Sequence, residues 1–266
     1  MNGRCAKQIR RPKTEDRKKV EGRNPKNRRW PKGCKPFDAP RTKHYAPRLR
    51  IRAVTFDVGG TLIECWPSVG HIYAEVAARH GHPRLAPSRL NRRFKAAWEA
   101  FVDFRHTRSH WSDLVDATFR GLIEPPPSQT FFPELFERFT EPDAWHIYAD
   151  VIPALEGLCS RGLKLGIISN WDHRLRPLLR RLKLDSYFET VIISCEFGAC
   201  KPAREIFAAA CASLGTAAEM TVHVGDSLEM DVLGARKAGL QALHLRRGAP
   251  RRCAGEIGSL IELDKI

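Results

Sequence analysis

Four short segments place carboxylates, a lysine and small donors beside turn residues. Phe56–Leu62 (FDVGGTL) carries Asp57, then Gly59-Gly60-Thr61. Ser169-Asn170 closes an apolar run, and Lys201-Pro202 follows Gly198-Ala199-Cys200. Gly225-Asp226-Ser227 closes another run, with Asp231 five residues beyond Asp226. Singly, each has an ordinary reading: a turn, a helix cap at Ser169-Asn170 or Asp226-Ser227, a helix start at Lys201-Pro202. Brought together they suit a phosphate group beside a hard cation that takes oxygen ligands.

The elements that must position them are also readable. Apolar runs at Ile51–Phe56, Leu163–Ser169, Val191–Ser194, Thr221–Val224 and Leu240–Leu245 predict strands buried on both faces. Amphipathic stretches at Ile152–Arg161, Arg174–Leu182, Ala203–Leu214 and Met230–Ala238 predict helices between them. The alternation predicts an α/β fold with a doubly wound parallel (Rossmann-like) sheet, in which ligands bind outside the carboxyl ends of the strands. All four segments follow predicted strands, so they converge on one crevice.

Between the first two predicted strands lie about a hundred residues with no strand signal, too many for a loop. Val69–His80, Ser88–Phe104, Trp111–Leu122 and Pro133–Phe139 read as helices, with Pro125-Pro126-Pro127 dividing the last two. The expected organisation is a core of residues 51–65 and 149–266 with a helical domain, 66–148, inserted in it. Trp98, Phe101 and Phe104 fall at helical spacings and predict a core stripe, while Arg92, Arg93 and Lys95 read as a solvated face.

The net charge of +15 belongs to one end. Residues 1–50 hold 18 Lys and Arg against 4 Asp and Glu, whereas the remainder holds 27 against 26. The first 50 residues are rich in proline and poor in large apolar side chains, which predicts disorder; nucleic acid would be met only there, and non-specifically. The eight cysteines form no C-x-x-C pair, and no apolar run is long enough to span a bilayer, so a cytoplasmic protein with reduced thiols is expected. Oligomeric state is not readable.

In order and spacing, the four segments resemble the signature motifs of the haloacid dehalogenase (HAD) superfamily. The first resembles its D-x-D-G-T-L, the second its apolar strand closing in Ser or Thr, the third its lysine, and the fourth its G-D-x-x-x-x-D. The helical insert matches the position of a C1-type cap. The resemblance spans residues 50–250 and implies a hydrolase, typically a Mg²⁺-dependent phosphohydrolase acting on a small phosphorylated metabolite. Asp57 would be the nucleophile of an aspartyl-phosphate route, with Lys201 pairing with it and with phosphoryl oxygens. Asp57, Asp226 and the Gly59 carbonyl would ligate Mg²⁺, with Asp231 acting through water or orienting Asp226. Ser169, Asn170, Gly60 and Thr61 would hold phosphate oxygens.

The chain departs from the pattern at Gly59, where the phosphatases carry a second Asp. Glycine keeps the carbonyl and loses the general acid–base group, a loss typically of about 10²–10⁴-fold. His71, His106, His110 and Glu64 are the candidates for a substitute acid. Two alternatives follow: a 2-haloacid dehalogenase-type hydrolase, whose halide leaves without a proton, and a non-catalytic member that binds a phosphometabolite or a protein.

Overall fold

The computed structural model describes residues 50–249 and 253–266. The basic segment, apart from Arg50, lies outside the described residues, as do the disorder and nucleic-acid binding expected of it.

β1 (Ala53–Phe56) is wholly buried, and its apolar residues need both faces covered. β2 (Ile63–Cys65) follows the Asp57–Leu62 turn. Then come α1 (Val69–Arg79), α2 (Pro87–Ala100), α3 (Arg108–Phe119) and α4 (Phe132–Arg138). β3 (Trp145–Ile147) returns antiparallel to β2. From there strands and helices alternate: α5 (Val151–Ser160), β4 (Lys164–Ser169), α6 (Leu175–Arg181), β5 (Thr190–Ile193), α7 (Ser194–Phe197) and α8 (Arg204–Leu214). β6 (Thr221–Gly225), α9 (Gly234–Lys237), β7 (Gln241–Leu245) and β8 (Glu256–Ile257) complete the chain.

The main sheet is parallel, in the order β5-β4-β1-β6-β7-β8. β1 sits between β4 and β6, so the chain turns outward in both directions from it. Such a switch point opens a crevice at the carboxyl ends of the strands. Gly166 lets β4 pack tightly there, since a Cβ would lie 2.8 Å from Thr190 Cγ2.

The helices α1 to α4 enclose their own apolar cluster. Tyr73 stacks on Phe119, their centroids 5.6 Å apart, among Ile72, Val76, Leu90 and Phe136. Asn91 ties two of these helices at their ends: its Oδ1 accepts from the Gly70 N–H and its Nδ2 donates to Ser68 Oγ. Thr107 caps α3 by accepting from the His110 N–H.

Four expectations need correction. The interval between the first two predicted strands is not free of strand, because β2 and β3 form a short ladder there. The sheet gains β8. The helix expected over Ser88–Phe104 stops at Ala100, and Asp103 and His106 then take positive φ. The helix expected over Met230–Ala238 is a π-helical turn, Leu228–Leu233, continued by α9. No helix among the described residues is long and apolar enough to cross a membrane.

Candidate active site

Asp57 leaves β1 at the crevice, its N–H donating to the Val224 carbonyl of β6. The Lys201 ammonium lies 2.6 Å from Asp57 Oδ1 and 2.6 Å from Asp231 Oδ1. Ser169, closing β4, donates to the same Asp57 oxygen at 3.2 Å. Asp226 follows β6 and faces the same cavity. One oxygen each from Asp57, Asp226 and Asp231 lies within 4.8 Å of the others.

Three carboxylates thus face one lysine. Burial works against the Lys201 ammonium, but Asp57 and Asp231 together outweigh it and hold the amine above the ordinary lysine range. Burial and the Asp231 charge raise the Asp57 carboxyl, with Lys201 offsetting only part. Burial opposes ionisation of Asp231 too, but Lys201 and the His223 hydrogen bond hold it below the carboxylate range. Asp226 has no such partner. Desolvation by the surrounding protein, then the Asp57 and Asp231 charges, push it up to about 7. An all-oxygen donor set with uncompensated negative charge fits a hard divalent cation such as Mg²⁺.

Sequence reasoning missed His223 and the positioning role of the Asn170 side chain. His223, in β6, is fully buried between Thr55 Oγ1 (2.9 Å from Nδ1) and Asp231 Oδ1 (3.1 Å from Nε2). Burial lowers its pKa, so it is neutral, and a carboxylate neighbour assigns the proton to Nε2, leaving Nδ1 to accept from Thr55. A histidine inside an apolar strand needs a partner, and that was the available signal. The Asn170 side chain clasps Lys201 at both backbone groups: Nδ2 donates to its carbonyl at 3.0 Å and Oδ1 accepts from its N–H at 2.7 Å. That side chain positions the lysine, so only the Asn170 backbone remains for a phosphate.

Gly60 has φ +74° and borders Asp226 so closely that a Cβ would collide with the carboxylate. Thr61 is fully buried, its Oγ1 lacks a partner, and its carbonyl accepts from Arg247. Neither residue lines the cavity that holds Asp57, Lys201, Ser169, Asn170, Gly59, Asp226 and Asp231. At Gly59 a Cβ would lie 3.3 Å from Trp171 Cζ3. An indole ring therefore stands where a side chain at 59 would begin.

The cavity has a volume of about 1420 Å³ and runs from the carboxylates into the helical insert. Among the four candidate acids only His106 lines it. His71 bonds Ser68, His110 Nδ1 accepts from the Arg105 N–H, and Glu64 accepts from Tyr148. Burial lowers the His106 pKa to about 4, so its imidazole is neutral. The expected core stripe of Trp98, Phe101 and Phe104 instead forms cavity wall, because the helix ends before Phe101 and the chain folds back. Of the expected basic face, Arg92 and Lys95 are exposed as expected, although Lys95 also borders the cavity, while Arg93 donates to the Thr118 and Arg120 carbonyls. Arg174 joins the wall to the core. It holds buried Asp172 through Nε and Nη2, donates from Nη1 to the Phe136 carbonyl, and lies 3.5 Å from the Phe136 ring centroid.

Known proteins share this geometry and sequence. The family model described as haloacid dehalogenase-like hydrolase matches residues 51–239. Mouse (Mus musculus) haloacid dehalogenase-like hydrolase domain-containing protein 3 is 32% identical over 217 residues, 77% of this chain and 86% of the mouse protein. A HAD phosphatase from Thermococcus onnurineus superposes with a TM-score of 0.60 at 29% identity, covering 81% of this chain and 97% of that one. A 2-haloacid dehalogenase from Pseudomonas syringae pv. Tomato DC3000 superposes at 0.55 and 26% identity, with the same two coverages. With its strand order, its crevice and its carboxylate–lysine cluster, the chain belongs to the haloacid dehalogenase-like hydrolases.

Proposed function

We propose that the protein is a phosphohydrolase of small phosphorylated metabolites, working through Asp57 with Mg²⁺ bound at Asp57, Asp226, Asp231 and the Gly59 carbonyl. The observation that carries this reading is Lys201, held at 2.6 Å from both Asp57 and Asp231 beside the unpaired Asp226. A halide-releasing enzyme has no use for a third carboxylate, whereas a phosphoryl group passing between anionic oxygens needs positive charge on several sides. Bound Mg²⁺ would supply that charge and screen the nucleophile from the substrate's own anion.

The chain's own groups do the rest. Asp57 attacks phosphorus and becomes an aspartyl-phosphate; water then attacks phosphorus and returns the carboxylate. Lys201 pairs with a phosphoryl oxygen as it turns from Asp57, while Asp231 and the Asn170 clasp keep its ammonium in place. Ser169 and the Asn170 N–H hold a second oxygen. Residues 66–148 act as a cap that excludes water and selects the leaving group. The Arg174 bond to the Phe136 carbonyl links cap and core.

A second reading, carbon–halogen hydrolysis, is favoured by Gly59 alone, since a halide needs no proton. The experiment is hydrolysis of acetyl phosphate and para-nitrophenyl phosphate by the full-length chain, titrated with Mg²⁺, beside Asp57→Asn. Mg²⁺-dependent turnover that disappears in the variant is expected. Halide release from 2-chloropropionate in EDTA, with no phosphate release from either phosphate compound, would replace the proposal with dehalogenation.

A further inference from the structure

The cavity is unusual in what it offers beyond the carboxylates. Phe94, Trp98, Phe101, Phe104, Trp111 and Trp145 all line it. Phe104 is central: its ring centroid is 4.8 Å from Trp98, 4.8 Å from Trp111 and 4.9 Å from His106. Packed on one another at these distances, the rings turn their remaining surface to the cavity as one aromatic wall, against which a flat aromatic guest can pack. Among the described residues this wall faces the open cavity, and Trp98 is 40% exposed. Two buried polar atoms in the same wall, His106 Nδ1 and Trp111 Nε1, have no hydrogen-bond partner among the described residues. His106 itself is only 8% exposed and holds φ +56°, so the loop carries backbone strain to place an imidazole there. Unsatisfied groups of this kind are an unusual expense in an apolar wall, and a polar substituent on a guest would relieve it.

The aromatic lining reaches the reacting end. Trp145 lies 5.2 Å from Trp171, and Trp171 stands over Gly59. The position that lacks a proton donor is therefore roofed by an indole. Without a donor, an ester is cleaved efficiently only if its leaving oxygen is stable as an anion. A phenol, with a pKa near 10 as in tyrosine, meets that condition; an aliphatic alcohol does not.

We infer that the substrates are phosphate monoesters of phenols, the ring packed against the wall formed by Trp98, Phe104 and Trp111 and the ester oxygen directed to Gly59. This rests on the phosphohydrolase reading and specifies its substrate class. The step balances without an added acid. The Asp57 carboxylate oxygen bonds to phosphorus, the P–O(aryl) bond breaks, and its electron pair leaves on the phenolate, which takes a proton from solvent. Water then bonds to phosphorus, the P–O(Asp57) bond breaks, and the water proton is lost to solvent, giving phosphate and phenol.

The test uses the full-length chain with Mg²⁺ and four phosphate compounds. Phenyl phosphate has both the ring and the good leaving group, benzyl phosphate has the ring only, acetyl phosphate has the leaving group only, and glycerol phosphate has neither. Phenyl phosphate should exceed benzyl phosphate in kcat by about 10²-fold or more, the scale of a missing general acid, at similar KM. Quenching of tryptophan fluorescence should report phenylphosphonate binding about 10-fold tighter than methylphosphonate, and Trp98→Ala should remove most of that difference. Equal affinity for the two phosphonates, or benzyl or glycerol phosphate turned over as fast as phenyl phosphate, overturns the inference while leaving the phosphohydrolase intact. Failure to hydrolyse acetyl phosphate overturns the phosphohydrolase reading itself.

Discussion

Replacing Lys201 by methionine is the perturbation with the most calculable outcome. Methionine keeps the chain length and fills the space, and it removes the charge. Lys201 is 3% exposed and its ammonium is 2.6 Å from each of two carboxylates. Removing one partner of a buried ion pair costs about 3–5 kcal/mol, because the other charge stays buried and unpaired. For a chain of this size each kcal/mol lowers Tm by about 2–4 °C, so a fall of roughly 6–20 °C is expected in EDTA at pH 8. The sign of the pH dependence follows from the same cluster. In the wild type, Asp231 is held below the carboxylate range, so its contribution is present above the unfolded pKa and is lost as pH falls through the folded one. Without Lys201, Asp231 joins Asp57 and Asp226 as raised carboxylates. The folded variant then binds more protons than the unfolded chain near pH 5–7, and its stability rises as pH falls. The deficit should therefore narrow between pH 8 and pH 5.5, and Mg²⁺ should recover about 2.7 kcal/mol at 100 times its Kd. Thermal melts under these conditions measure all three. A variant within about 2 °C of wild type in EDTA at pH 8 would show that Lys201 does not stabilise the fold by neutralising these carboxylates.

Three further outcomes are expected. Gly60→Ala forces a side chain at positive φ into the Asp226 carboxylate, so calorimetric Mg²⁺ affinity should fall by about 10–100-fold. His106, lowered to about 4, stays neutral when folded while the unfolded chain takes a proton below its ordinary value of 6.5; stability should fall by ~3 kcal/mol as pH drops from 6.5 to 4, and His106→Phe should flatten urea midpoints over that window. Arg174→Met leaves Asp172 buried and unpaired and cuts the bond to Phe136, costing about 3–5 kcal/mol and speeding hydrogen exchange across α4.

The parts of this molecule that were legible in the sequence are those whose signal is local and strong. Val54, Phe56, Leu165 and Ile167 belong to runs that only a doubly covered strand explains, and Asp57, Ser169, Lys201 and Asp226 follow such runs. β2 and β3 were not legible because three residues cannot show alternation. The π-turn at Leu228–Leu233 was hidden because one extra residue barely disturbs a helical period. The Asn170 clasp and the His223 support depend on residues 31 and 8 positions away, and no spacing rule encodes them. The aromatic wall was misread for a related reason. Trp98, Phe101 and Phe104 keep helical spacing, but no proline or glycine marks the stop at Ala100, and the spacing therefore outlasted the helix.

The claim on which everything else depends is that Asp57 carries the phosphoryl group. The direct measurement is acid quench of the full-length chain turning over acetyl [³²P]phosphate with Mg²⁺, followed by peptide mapping. Label on the peptide containing Asp57, labile to hydroxylamine and absent from Asp57→Asn, is the predicted result. Label on another residue, or Mg²⁺-dependent turnover that persists in Asp57→Asn, would contradict it.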